Sequence, residues 1–93
     1  MSIEARIAEA RKFKLLPVQL AFDYIVHTLK TNRRQNIPVS QSMLFKDCRA
    51  QGFTNADVWH VLRSLELADA VQFTPGNIGH TTRMQIVWLG GDE

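Results

Sequence analysis

Apolar residues recur at helical spacing in several stretches of the chain, and the most regular of them spans residues 54–67. Thr54 opens this stretch and Asp57 follows three residues later, a spacing typical of an N-terminal capping box. The apolar positions that follow are three, one and three residues apart: Val58, Val61, Leu62 and Leu65. Because they share one side of a helix with 3.6 residues per turn, the pattern predicts a helix with a buried side and a polar side.

Two more helices are predicted near the N-terminus. Within residues 2–14, Ile3, Ile7 and Ala10 recur at helical spacing and indicate a short amphipathic helix, which must pack on the body or on a partner chain. Pro17 suits the first turn of a longer helix that continues to about residue 31. The predicted buried stripe of this helix contains six apolar residues: Val18, Ala21, Phe22, Ile25, Val26 and Leu29.

A fourth helix is predicted between these stretches. Residues 36–39 are extended, and Pro38 restricts them to an edge strand or a connector. Ser40 or Ser42 caps the helix, and Gly52 is a natural left-handed terminator. Its predicted apolar face consists of Met43 or Leu44, followed by Phe45 and Cys48. Since a short turn with glycine leads into residues 54–67, the two helices form a helix-turn-helix pattern.

The hydrophobic period changes after Leu67. Asp69 tolerates the left-handed backbone region and marks a turn. Val71 and Phe73 alternate with polar residues as in a strand, residues 75–79 have the composition of a loop, and residues 82–89 alternate again. The pattern predicts a two-stranded hairpin, with residues 90–93 as a polar tail.

Composition and charge limit the classes of function. The 93 residues are 45% hydrophobic and 22% charged, as in one small globular domain. We expect a cytoplasmic protein without a membrane span or secretory signal, and the lone Cys48 fits a reducing compartment. The net charge of +2 resides in residues 1–14, because residues 15–93 contain seven basic and seven acidic side chains. Any basic surface on the body must therefore come from clustering.

The sequence argues against an enzyme and predicts neither a metal nor a cofactor. The three histidines, His27, His60 and His80, fall in three separate elements, and one cysteine offers no metal cluster. Gly76 and Gly79 lack the lysine and the strand-to-helix context of a phosphate-binding loop.

The order helix, short strand, helix, turn, helix and hairpin resembles the winged-helix superfamily. The runs IPVSQSMLF and VWHVLRSLELADAVQF carry the resemblance, which covers residues 17–89. The sequence departs from the family pattern between the last helix and the wing. Many relatives have a glycine and basic residues there, whereas this chain has Asp69 and Ala70, preceded by Glu66. The predicted fold is therefore α+β: a three-helix core with a short strand and a C-terminal β-hairpin wing in residues 15–89, preceded by an extra amphipathic helix or arm in residues 1–14.

The resemblance implies binding of double-stranded DNA. The exposed face of residues 55–63 would lie in the major groove, where Arg63 could pair with guanine and Asn55 with adenine. The base-reading candidates are Asn55, Trp59, His60 and Arg63. The phosphate-contact candidates are Thr54, Lys30, Arg33, Arg34, Lys46, Arg49, His80, Thr81, Thr82 and Arg83.

Two alternatives stay open at this point. The size and the neutral body fit a small transcriptional regulator of plasmid or phage type. Because a neutral monomer would bind DNA weakly, we expect such a regulator to be a dimer, with residues 1–14 as a candidate contact. The same face also suits a protein-interaction module, an adaptor or inhibitor, with Trp59 as anchor. In addition, Trp59 could pack under the wing as a core-edge aromatic instead of meeting a ligand.

Overall fold

The computed structural model of the chain describes residues 2–78 and 81–90, and at residues 76–78 and 81–83 it describes the backbone alone. Within these ranges the fold is α+β, as predicted, with four helices and an antiparallel sheet of three strands. In chain order the elements are α1 (Ile3–Lys12), α2 (Leu16–Arg34), β1 (Val39–Ser40), α3 (Gln41–Ala50), α4 (Asn55–Leu67), β2 (Val71–Ile78) and β3 (Thr81–Trp88).

The predicted helix boundaries of α3 and α4 are confirmed by their caps. The Ser40 hydroxyl accepts the backbone N–H of Met43 and begins α3. Gly52, with φ of 92°, provides the left-handed turn between the two helices. At the start of α4, the Thr54 hydroxyl accepts the Asp57 N–H, and the Asp57 carboxylate accepts the Thr54 N–H, both at 3.1 Å. This reciprocal box fixes where α4 begins.

The sheet corrects one prediction. Residues 75–78 were expected to be loop, but β2 continues through them, and Pro75 pairs with Met84 of β3. The strand order is β1-β3-β2, so β2 is an edge strand, where a proline can be accommodated without breaking a ladder on both sides. The predicted loop residue Gly79 lies outside the described residues. The segment before α3 was expected to be extended over residues 36–39, but Asn36 has a left-handed backbone with φ of 58° and belongs to the turn after α2. The short edge strand β1 begins only at Val39 and includes Ser40.

The core lies between the helices and one face of the sheet. The apolar stripe of α2 is buried as predicted, with Val26 only partly so, and α3 contributes Leu44 rather than Met43, which is exposed. From the sheet, Ile86 and Trp88 cover the core. The buried side of α4 consists of the four predicted residues: Val58, Val61, Leu62 and Leu65. Across the described ranges, no helix combines the length and the apolar character that a bilayer crossing requires.

The helix α1 packs on this body instead of extending from it. Ile7 belongs to the core, with Ile3 and Ala10 packed at its margin. Three ion pairs, each with one member in α1, join it to α2 and to the turn after α4: Arg6–Asp69 at 2.8 Å, Arg11–Asp23 at 3.0 Å and Glu4–Lys30 at 2.7 Å. Because most of these side chains are partly exposed, each pair contributes about 1 kcal/mol at most, and the apolar contact is the main attachment.

Replacing Leu62 with Ala should lower the free energy of unfolding by about 2–5 kcal/mol, because the side chain is fully buried and its removal leaves a cavity. Chemical denaturation followed by circular dichroism measures this change. The matched control on the same helix is Leu67→Ala: Leu67 is 78% exposed, so its loss should change the stability by less than about 0.5 kcal/mol. Equal effects of the two substitutions would mean that the helix faces are assigned wrongly.

A second prediction concerns Tyr24, the only tyrosine of the chain, whose hydroxyl donates to Asp47 at 2.6 Å and joins α2 to α3. This hydrogen bond, with burial and the negative charge of Asp47, raises the pKa of Tyr24 to about 12. Since the pKa is higher in the folded state, the stabilisation is complete below the unfolded pKa of about 10 and is lost as the pH rises through about 12.

Phenolate absorbance measures the titration directly. In Asp47→Asn the pKa of Tyr24 should fall towards 10, because the substitution removes the carboxylate charge. A tyrosine that ionises near pH 10 in the unsubstituted protein would contradict the hydrogen bond.

Candidate functional site

The outward side of α4 presents all four predicted base-reading residues to solvent. Asn55, Trp59, His60 and Arg63 are each exposed, and the last three, with Ala56, line a shallow cleft along the helix. Among the described residues, the side chains of Asn55, His60 and Arg63 have no hydrogen-bond or ion-pair partner. This face is therefore held in place by the buried side of α4 while its polar groups remain available.

A larger open groove of about 630 Å³ lies beside this face, between α3, α4 and β3. The ring of Trp59 packs on Phe45 of α3, with centroids 4.9 Å apart and planes at 53°. Arg49 of α3 and Asn55 of α4 bring a cation and an amide to the same groove. Its lining is completed by Gln41, Ser42 and Met84.

Trp59 connects the groove to the outer face of α4, because it lines both. The tilted packing on Phe45 fixes one side of the indole, as is common for aromatic pairs. The side chain nevertheless remains 50% exposed. The structure thus places Trp59 against α3, and half of its surface is accessible to a ligand.

The predicted phosphate-contact residues separate into distinct locations. Lys46 and Arg49 lie on α3, where they are exposed and have no hydrogen-bond or ion-pair partner among the described residues. Thr54 uses its hydroxyl oxygen as acceptor in the cap of α4, so its proton is still available for donation. Of these residues Arg49 lines the groove, whereas Lys46 lines a separate cleft between α2 and α3.

The basic residues of α2 do not join that group. The Lys30 ammonium is bound to Glu4, lies 5.6 Å from the centre of the Trp88 ring, and its side chain is only 16% exposed. Lys30 therefore stabilises the attachment of α1, and a role in contacting phosphate does not fit its surroundings. Arg33 lines a different cleft, beside β1 and the C-terminal half of β3. Arg34 follows it at the C-terminal end of α2.

The structure describes the candidate residues on the hairpin only in part. His80 lies outside the described residues. Thr81, Thr82 and Arg83 are described by their backbone, which pairs with Ile78, Asn77 and Gly76 of β2 in that order. The described portion of the candidate site therefore consists of residues of α3 and α4 together with Met84.

Cys48, by contrast, lies in the core rather than at this face. The thiol is completely buried in α3, and burial raises its pKa to about 11, so it is a neutral packing residue near pH 7. Within residues 2–78 and 81–90, no cluster of three His, Cys, Asp or Glu side chains is arranged to hold a metal ion.

Sequence reasoning missed the groove itself. Phe45 was assigned to the apolar face of α3, yet it is half-buried and supports Trp59. A signal was present, because Phe45 and Arg49 are four residues apart and must share one side of a helix.

Comparisons with models of protein families, with curated proteins and with solved structures give no match for this chain.

The two tryptophans should report these environments separately. In Trp88→Phe the remaining Trp59 should be quenched readily by acrylamide, because half of it is exposed. In Trp59→Phe the remaining Trp88 should be shielded and emit at shorter wavelength, since it is buried in the core. Circular dichroism of both variants provides the folding control, and equal quenching in two folded variants would contradict the placement of Trp59.

Proposed function

We propose that this chain is a winged-helix protein that binds double-stranded DNA through the outer face of α4 and acts as a small transcriptional regulator. The observation that carries the proposal is the distribution of charge partners: Arg6, Arg11 and Lys30 are paired with carboxylates around α1, whereas Lys46, Arg49 and Arg63 have no such partner in the described part of the chain.

The acidic side chains of α3 and α4 equal these three cations in number. Asp47 accepts a hydrogen bond from Tyr24 and Asp57 accepts one from the start of α4, and both carboxylates keep their negative charge in these neutral hydrogen bonds. Glu66 remains as an exposed negative charge on α4. The net charge of α3 and α4 is therefore zero, and the proposal rests on Lys46, Arg49 and Arg63 being exposed and without a carboxylate partner among the described residues, which leaves them available to a phosphate backbone. Lys14 and Arg33 also lack such a partner in the described part of the chain, but they lie outside α3 and α4.

The element order and the sheet support the winged-helix assignment. The turn at Gly52 joins α3 to α4, the chain continues directly into the hairpin of β2 and β3, and β1 pairs with β3. In this arrangement α4 would enter the major groove and the hairpin would lie along the backbone.

The chemistry of the face suits direct readout. The Arg63 guanidinium has the fork geometry that pairs with guanine O6 and N7, and the Asn55 amide can pair with adenine N6 and N7. Each good pair contributes about 1–3 kcal/mol of discrimination between bases. Arg49, which lines the groove together with Asn55, would contact the phosphate backbone.

Three cations per chain limit the affinity of a monomer. With about three phosphate contacts, the logarithm of the binding constant should fall with the logarithm of the salt concentration with a slope of about −3. Such a monomer binds weakly near physiological salt, so we propose that two chains bind together, each presenting one α4.

A protein partner is the second candidate because of the groove. Phe45, Trp59 and Met84 give it an apolar lining, and the exposed half of Trp59 is a typical interface anchor. An adaptor or inhibitor would use the same surface, but its affinity would depend on Trp59 more than on Arg49 or Arg63.

Fluorescence anisotropy of a labelled mixed-sequence duplex tests the DNA proposal. We expect binding that weakens as salt rises, and Arg49→Ala should make the salt slope shallower by about 1. Arg63→Ala should lower the affinity without lowering the melting temperature, because its side chain is exposed.

The matched control is Arg33→Ala, which removes the same charge from the cleft beside β1. It should bind like the unsubstituted protein. An equal loss in all three variants would contradict the assignment of the face, and no binding at about tens of micromolar protein in low salt would favour the protein partner.

A further inference from the structure

An exposed apolar patch lies at the corner between α1 and α2, formed by residues close together in the chain. Its members are Phe13, Leu15, Leu16 and Leu20, which are 76%, 78%, 64% and 50% exposed. Leu16 and Leu20 are one helical turn apart, on the side of α2 opposite its buried stripe. Together the four side chains expose on the order of 500 Å² of apolar surface, a size at which such patches mark interaction sites.

The patch is held in a fixed position. On one side, Ile7 and the ion pair of Arg11 with Asp23 attach α1 to the body. At the turn itself, the Gln19 side chain donates to the Lys14 carbonyl at 2.9 Å. Since the ordering cost is met within the monomer, little further entropy is lost when the patch is covered.

We infer that this patch, Phe13, Leu15, Leu16 and Leu20, is the contact between two copies of the chain. This contact differs from the one expected through residues 1–14, because the apolar stripe of α1 packs on its own body and three of the four patch residues lie beyond residue 14. The inference deepens the proposed function and rests on it for the reason to dimerise, namely two α4 faces on one duplex.

Charge at the edges of the patch favours a second copy as the occupant. Glu9 lies one helical turn before Phe13, and Lys14 follows it; neither has a hydrogen-bond or ion-pair partner for its side chain among the described residues. In a two-fold contact the same patch meets itself, so Glu9 of each copy can approach Lys14 of the other. Lys12, whose ammonium lies 5.2 Å from the centre of the Phe13 ring, and Lys14 could also attract an anionic lipid surface, but such a surface offers no partner for Glu9, whereas a second copy does.

The area sets the expected strength. Two such patches would bury about 1,000 Å² in total, at the lower limit of specific interfaces, so the dissociation constant should be in the micromolar range. The patch shares no residue with α4 or with the groove, and therefore the dimer leaves the proposed DNA face uncovered.

Sedimentation velocity of the full chain without DNA, over a range of concentrations, tests the inference. The mass should rise from that of one chain to that of two. Leu16→Glu should weaken association by about 100-fold or more, since a two-fold contact places the added charge in the interface twice. The matched control is Met43→Glu, which adds the same charge in the first turn of α3 at a side chain that is 66% exposed; it should associate like the unsubstituted protein.

A charge reversal identifies the partner as a second copy. Glu9→Lys and Lys14→Glu should each weaken the dimer by about 2- to 10-fold, and the double variant should recover it. A chain that remains monomeric, or a Leu16→Glu variant that dimerises normally, would overturn the inference. Flotation of a monomeric chain with phosphatidylglycerol vesicles would overturn it in favour of a membrane surface.

Failure of this inference differs from failure of the proposed function. A monomer that binds DNA with the expected salt slope would remove only the dimer contact. A dimer that does not bind DNA would remove only the DNA proposal.

Discussion

The apolar contact between α2 and α4 determines which side chains of α4 face solvent. The stripe of α2 that includes Phe22 and Ile25 packs on the side of α4 that includes Leu62, and all three are buried. Because the 3.6-residue period places the apolar residues of α4 on one face, burying that face leaves Trp59 and Arg63 on the face that is exposed to solvent. The helix start is fixed independently by the capping box, so both the rotation and the axial position of the exposed face follow from local chemistry.

The groove beside α4 gives this face a second physical character. The aromatic pair of Phe45 and Trp59 joins α3 to α4 at the surface, where a large apolar area remains accessible. Arg49 lines the same groove, so the groove offers a ligand both an apolar surface and a cation. A phosphate backbone would depend mainly on the cation, whereas a protein partner would depend mainly on the aromatic surface. The two proposed functions therefore differ in which of these groups contributes most to binding.

Most of the fold could be predicted from local pattern, while the surface partners could not. Spacing and caps placed the buried residues of α2 and α4, and Asp69 adopts the left-handed backbone predicted for it, with φ of 59°. Pro75 led to the wrong prediction of a loop at residues 75–78. A proline is acceptable in β2 because β2 is an edge strand, and edge position is a property of the whole sheet that local sequence does not reveal. The pairing of Lys30 with Glu4 joins residues far apart in the chain, and no periodicity indicates such a contact.

The central claim is that the outward face of α4 and the adjoining groove bind DNA. The most direct measurement is a nitrogen-15 NMR titration of the full chain with a short mixed-sequence duplex, which reports every backbone amide. Binding through this face should shift the amides of residues 55–63 and of Arg49 progressively, and these shifts should be larger than those of residues 3–12. Shifts in α1 and the start of α2 with none in residues 55–63, or no shifts at any duplex concentration, would contradict DNA binding through α4.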